Sequence, residues 1–264
     1  MTRQNGSTTS VAEAEPEVYL LDNVSWETYE LLLRDREAAG EHFFITYDHG
    51  RMQIDRRGAD VEALEGISWE TYEHLLRDLD EQHLRLTYHR GRLTIVSPLP
   101  KHDRVKTVIG RMIELLAFEL HIPMSCFGSA TWRRSDVVAG LEADECYYVQ
   151  NEPLVRGKDD IDLNVDPPPD LAIEVDITRQ MTPRLPIYAA LGVPEVWRYR
   201  SAELRAYALQ SGTYVPIETS LAFPMLRPAD LDHFLAMRHA VDDTTLMTRF
   251  RDWLHTLPRP SRQP

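Results

Sequence analysis

Pro169-Asp-Leu-Ala-Ile-Glu-Val-Asp176 is the stretch on which the fold turns. Read as a strand, it alternates: Leu171, Ile173 and Val175 go to one face, and Asp170, Ala172, Glu174 and Asp176 to the other. The apolar face implies burial. The opposite face gathers carboxylates about 7 Å apart, close enough to repel and to raise one another's pKa values. A hard cation with oxygen ligands resolves that conflict. A solvated edge strand, or salt bridges to a basic helix, resolves it equally well, and the strand by itself leaves both readings open.

Working outward, residues 185–191 read as a short helix closed by Gly192, followed by a strand at 195–199. A hairpin, 204–209 with 214–217 around Ser211-Gly212, ends the sheet, and two closing helices are expected at 229–237 and 242–254. Upstream lie strands at 145–150 and 123–127. Before them a helix over 103–119 carries Val105, Val108, Ile109, Met112 and Leu116 on one face. Its polar side holds Arg104 and Arg111, with Lys101 and Lys106 nearby, and Ser97-Pro-Leu-Pro100 stops the chain ahead of it.

The front of the chain is duplicated. Ser25-Trp-Glu-Thr-Tyr-Glu-Leu-Leu-Leu-Arg-Asp35 returns as Ser68-Trp-Glu-Thr-Tyr-Glu-His-Leu-Leu-Arg-Asp78, identical at ten of eleven positions. Thr46-Tyr-Asp-His-Gly-Arg51 and Thr87-Tyr-His-Arg-Gly-Arg92 follow as hairpins. Ser25 and Ser68 suit N-caps, with Glu27 and Glu70 in the favourable first turn. Trp26, Tyr29 and Leu33, and likewise Trp69, Tyr72 and Leu76, form stripes expected to face a core. Two copies are too few for a solenoid. The expected layout is a disordered tail over 1–17, a helix-hairpin appendage over 18–60, a catalytic-type body over 61–257 and a second tail over 258–264.

Composition narrows the function classes. The 264 residues, 43% of them apolar, suffice for one large core, and no apolar run is long enough to span a bilayer. Without a signal-like leader the expected location is the cytoplasm. Cys126 and Cys146 are the only cysteines, which excludes a disulfide framework or a cysteine-rich zinc site; both are expected to be buried thiols. A net charge of −13 argues against non-specific coating of nucleic acid. That average hides an asymmetry: residues 84–134 hold nine Lys/Arg against three Asp/Glu, and residues 135–176 hold two against twelve. No phosphate-binding glycine loop, Gly-x-Ser-x-Gly elbow or His-Glu-x-x-His helix occurs. Of the ten histidines, His102 at the start of the basic helix is the one placed near possible chemistry.

Asp144-Glu-Cys-Tyr-Tyr-Val-Gln150, Pro169-Asp-Leu-Ala-Ile-Glu-Val-Asp176 and Ile187-Tyr-Ala-Ala-Leu-Gly-Val-Pro-Glu-Val-Trp-Arg-Tyr199 together resemble the Uma-two family of restriction endonucleases, within the PD-(D/E)XK nuclease superfamily. The resemblance runs from about residue 67 to 214. It implies an α/β fold, a restriction-endonuclease-like mixed sheet flanked by helices, here preceded by the duplicated helix-hairpin unit. It also implies Mg²⁺ (or Mn²⁺) held by Asp144 and Glu174, with Asp176 as a further candidate. The family's basic partner falls at Arg184, where lysine is expected. Arginine keeps its proton, so it can offset phosphoryl charge but cannot serve as a base. The expected reaction is DNA phosphodiester hydrolysis, with Lys101, His102, Arg104 and Lys106 along the DNA backbone. The strand ending at Ile54 is expected either to extend the sheet at the edge left by the second hairpin or to pair with a second subunit and make a homodimer. The alternative is a catalytically weak or inactive nuclease-fold module used for binding or assembly.

Overall fold

The computed structural model describes residues 17–41, 43–56, 63–82, 84–96, 100–176 and 183–257. The expected tails lie outside these residues except for Glu17, which begins β1 (Glu17–Leu21). Helix α1 (Trp26–Ala39) follows, then the hairpin β2 (Phe44–Asp48) and β3 (Arg51–Arg56). The order repeats in α2 (Trp69–Asp78), β4 (Arg85–His89) and β5 (Arg92–Val96).

Sequence identity in the two copies becomes identity of local structure. Ser25 and Ser68 each accept the N–H three residues on, from Thr28 and Thr71, both at 3.2 Å. Both hairpins turn through a residue pair at positive φ, His49-Gly50 and Arg90-Gly91, the backbone that matches the strand twist. Tyr47 and Tyr88 donate to the carbonyls of Val24 and Ile67 at 2.9 and 2.8 Å. The copies then cap one another. Asp35 Oδ2, ending the first helix, accepts from Ser68 N and Thr71 Oγ1 at 2.6 and 2.5 Å. Asp78 Oδ2 accepts from Ser25 N at 2.8 Å and Thr28 Oγ1 at 2.5 Å. Each acid satisfies orphan donors at the start of the other helix and meets the positive end of its dipole. The buried stripe of α1 is therefore Thr28, Leu31, Leu32 and Asp35. Trp26, expected inside, is 57% exposed: it leans on Tyr29 and Tyr47 while the neighbouring helix claims the other face.

The second hairpin runs into the body. Helix α3 (Pro100–Leu120) is followed by β6 (Ser125–Cys126), β7 (Thr131–Arg134), β8 (Ala139–Glu142), β9 (Glu145–Tyr148) and the short α4 (Glu152–Val155). Next come β10 (Leu171–Asp176), α5 (Leu185–Leu191), β11 (Glu195–Arg200), β12 (Glu203–Gln210) and β13 (Thr213–Ile217). A 3₁₀ turn (Pro228–Leu231) leads into α6 (Asp232–Met237), and α7 (Asp243–Leu254) closes the chain. The described strands form three sheets: β1-β3-β2, β5-β4-β8-β7, and the mixed β13-β12-β11-β10-β9-β6. The β7–β8 hairpin has no counterpart in the expected elements. It attaches to the edge of β4, where Gly140 admits the ring of Tyr72; a Cβ there would stand 2.3 Å from Tyr72 Oη.

In the mixed sheet β10 is central, parallel to β11 and antiparallel to β9. The α5 crossover, ended by Gly192 in the left-handed region, makes the parallel pair. All six β10 residues are buried, so the edge-strand reading does not hold. Leu171, Ile173 and Val175 pack on α3, α6 and α7 through residues such as Ile109, Phe234 and Phe250. Ala172 faces the other core, with Ile187, Tyr188 and Leu191. A third core joins the two helix-hairpin copies through Leu32, Ile54, Leu75 and Ile95. Cys146 is buried as expected; Cys126, at the end of a two-residue edge strand, is exposed. Among the described residues no helix is long and apolar enough to cross a membrane.

Candidate active site

The end of β10 and the start of β9 meet beneath α5 and β4. Ile173 pairs with Glu145, and continuing that register by one residue sets Asp144 opposite Glu174. Both are buried, at 2% and 3% exposure. Asp144 Oδ2 accepts the N–H of Val175 at 2.6 Å, and its Oδ1 is paired with Arg85 Nη1. Glu174 Oε2 lies 2.8 Å from Arg184 Nε, and its Oε1 accepts from the Tyr188 hydroxyl. Asp144 and Glu174 thus share one face at one end of the sheet, the acid on β10 and the acid entering β9.

Arg184 sits at the N-cap of α5, which aims it back over the sheet. Besides Glu174 it reaches Thr87 Oγ1 at 3.1 Å and donates to the carbonyl of Glu142. Arg85, first residue of β4, also lies 3.3 Å from Glu142. Burial pushes Glu174 up, Arg184 pulls it down and the charge of Asp144 pushes it up again, leaving it at about 7. Glu142 is raised as well, chiefly by burial.

The remaining expected residues scatter. Asp176 is buried, its Oδ2 accepting from Arg198 Nε at 2.6 Å, while its Oδ1 has no hydrogen-bond partner. Asp170, on the same strand face, belongs to the far end of β10, where it accepts from Val149 N, Asn151 N and Asn151 Nδ2 at 2.7–2.8 Å. The expected basic row divides. Lys106 has its Nζ 3.7 Å from Glu145, whose place in the register puts it on the α3 side of the sheet, opposite the face shared by Asp144 and Glu174. Arg104 turns to α7 instead, where Asp243 binds its Nη1 at 2.7 Å and also holds Arg111 at 2.6 Å, so its charge is answered inside the chain. Lys101 and His102 lie in the first turn of α3, and their side chains fall outside the described residues. Sequence reasoning missed Arg85 and Tyr188 as members of the site. Nothing local marks Arg85, and Tyr188 served only as a landmark for Arg184.

The donor set suits a divalent ion. Three carboxylates (the half-buried Glu142 and the buried Asp144 and Glu174) stand against two guanidiniums (Arg85, Arg184), and a cation would favour the charged forms of the raised Glu142 and Glu174. Among the described residues no group of three or more His, Cys, Asp or Glu is arranged to hold an ion unaided. Mg²⁺ tolerates this, since it commonly takes one or two carboxylates and completes its shell with water and substrate phosphate.

Residues 69–241 match the family described as Uma2, putative restriction endonuclease. No curated protein matches the chain. The match covers α2 through α6 and most of the chain, so the protein belongs to that family.

Proposed function

From that membership we propose that the chain is a Mg²⁺- or Mn²⁺-dependent endonuclease that hydrolyses DNA phosphodiester bonds in the cytoplasm. The observation carrying the proposal is the buried pair Asp144 and Glu174, facing one another across β9 and β10 with Arg184 beside them. Asp144 and Glu174 would hold the ion, with Asp176 in reserve. The ion's contribution when bound is to polarise phosphate and lower the pKa of a coordinated water. Arg184 stays protonated and offsets charge on the phosphoryl group. Tyr188 keeps Glu174 oriented through its hydroxyl. Lys106, with Lys101 and His102 on the same helix, would position the DNA backbone without reading sequence.

The test is cleavage of DNA by the purified chain with and without Mg²⁺ or Mn²⁺. Activity should require the ion and disappear in Glu174→Ala. Full cleavage by that variant would sink the reading. Arg184→Lys should keep or raise activity.

One observation favours a second reading, a nuclease fold retained for binding or assembly: both carboxylates already sit in ion pairs with arginines. Mn²⁺ binding that is absent, or unaffected by Glu174→Ala, would favour it. Either reading accommodates a homodimer. The strand expected to end at Ile54 is β3, which runs to Arg56 and is central in its sheet, so among the described strands the edges open to a second subunit are β1 and β2 rather than β3.

A further inference from the structure

We infer that Arg85 is the displaceable counter-ion of Asp144, a positioning residue that holds this carboxylate until a divalent cation takes it over; the inference rests on the metal-site reading above. The two arginines of the site are anchored differently. Arg184 is fixed by a hydroxyl and a main-chain carbonyl in addition to Glu174, and it belongs to the N-cap of α5. The contacts of Arg85 among the described residues are with carboxylates alone, Asp144 and Glu142. Losing Glu174 would leave Arg184 in place; losing Asp144 would leave Arg85 free to swing about Glu142.

Asp144 divides its oxygens accordingly. Oδ2 is committed to the Val175 N–H on the neighbouring strand, which sets the carboxylate's orientation. Oδ1 faces Arg85. A guanidinium and a divalent cation on the same oxygen repel strongly at this depth, so the two compete for it. Glu142, 3.3 Å from Arg85 Nε, retains the displaced side chain at the rim of the site rather than releasing it to solvent. There it adds a positive group beside the place a DNA phosphate would occupy. The hairpin of the second sequence repeat thereby becomes part of the site.

The experiment is equilibrium Mn²⁺ binding by the full chain, without DNA, followed by calorimetry. Arg85→Gln should bind Mn²⁺ about tenfold more tightly than wild type, within the usual span of coupled equilibria. Arg85→Lys, which keeps the charge on a more weakly matched head, should fall between them. Asp144→Asn should lose binding. Equal or weaker binding by Arg85→Gln, with binding still lost in Asp144→Asn, overturns the counter-ion role and leaves the metal site standing. Wild-type affinity in Asp144→Asn places the ion elsewhere and overturns both. The wild-type protein gives a second measurement. Mg²⁺ titration should move the side-chain Nε–H resonance of Arg85, assigned by its absence from Arg85→Lys; a resonance unmoved at saturation overturns the inference.

Discussion

The two helix-hairpin copies share caps, turns and aromatic packing, yet they meet different neighbours. In the second copy β4 is covered along its outer edge by β8, and its outward residues Arg85 and Thr87 point into the acidic site. In the first copy the matching positions are Phe44 and Thr46, both exposed, and no described strand lies beyond β2. Tyr72 is fully buried against Gly140, whereas its counterpart Tyr29 is only partly covered. Local sequence therefore sets the unit, and a few outward-facing residues decide whether that unit becomes part of a site or remains an appendage. Arg85 against Phe44 is the sharpest of these differences.

The largest effect should come from giving the second copy the first copy's residue. Arg85→Phe leaves the buried Asp144 and the half-buried Glu142 without their guanidinium, and breaking a buried pair costs roughly 3–5 kcal/mol. Urea unfolding at neutral pH measures the loss. A change below about 1 kcal/mol would mean that the two acids find other partners, and the contrast between the copies would lose its energetic basis.

Next is the contact that lets β8 lie against the second copy. Gly140→Ala forces a methyl toward Tyr72 Oη, and overpacking of this kind costs roughly 1–3 kcal/mol. Tyr72 Oη has no hydrogen-bond partner, so Tyr72→Phe should cost little alone and should recover part of the loss in the double variant. Strict additivity would show that the glycine is needed for the β7–β8 backbone instead.

Much of this arrangement was legible in the sequence. The alternation of Pro169–Asp176 identified the strand that carries Glu174, Gly192 marked the end of α5, and the repeated serines marked both helix starts. What the sequence hid is long-range. Arg85 lies in a basic run that the sequence marks only as a local excess of positive charge, and its role appears only when β4 pairs with β8 and brings it to Asp144, 59 residues away. The strands of that hairpin are four residues each, with arginines in one and a glycine in the other, so neither shows a clear period of two. Arg104 misled for the same reason in reverse: its partner, Asp243, is 139 residues distant. The inward stripe expected at Trp26 failed because α1 buries the threonine and aspartate used in the exchange of caps.

That exchange predicts a symmetric pair of intermediate effects. Asp35→Ala strips Ser68 N and Thr71 Oγ1 of an acceptor, and Asp78→Ala does the same to Ser25 N and Thr28 Oγ1. Each should cost about 1–2 kcal/mol, the usual range for a lost cap with donors left unpaired. Because each acid caps the other copy's helix, Asp35→Ala should raise amide hydrogen exchange first at the start of α2, and Asp78→Ala at the start of α1. Protection lost only within the mutated residue's own helix would contradict the reciprocal scheme.

The smallest effect should be the reverse exchange, Phe44→Arg. Phe44 is 62% exposed, so the first copy should accept the second copy's residue with a change within about 0.5 kcal/mol. Its cross-strand neighbour is Asp55, whereas the partners of Arg85, Glu142 and Asp144, enter from β8 and the turn before β9. The substitution therefore separates two ideas about the β2 edge. If two subunits pair along β2, a cation on each strand disfavours the pairing, and sedimentation should show a shift toward monomer with the unfolding midpoint of the monomer unchanged. If the appendage has no such partner, both measurements should match wild type. A loss of stability well beyond 0.5 kcal/mol would show that Phe44 is packed in solution, and that the two copies are more alike in their surroundings than their outward residues imply.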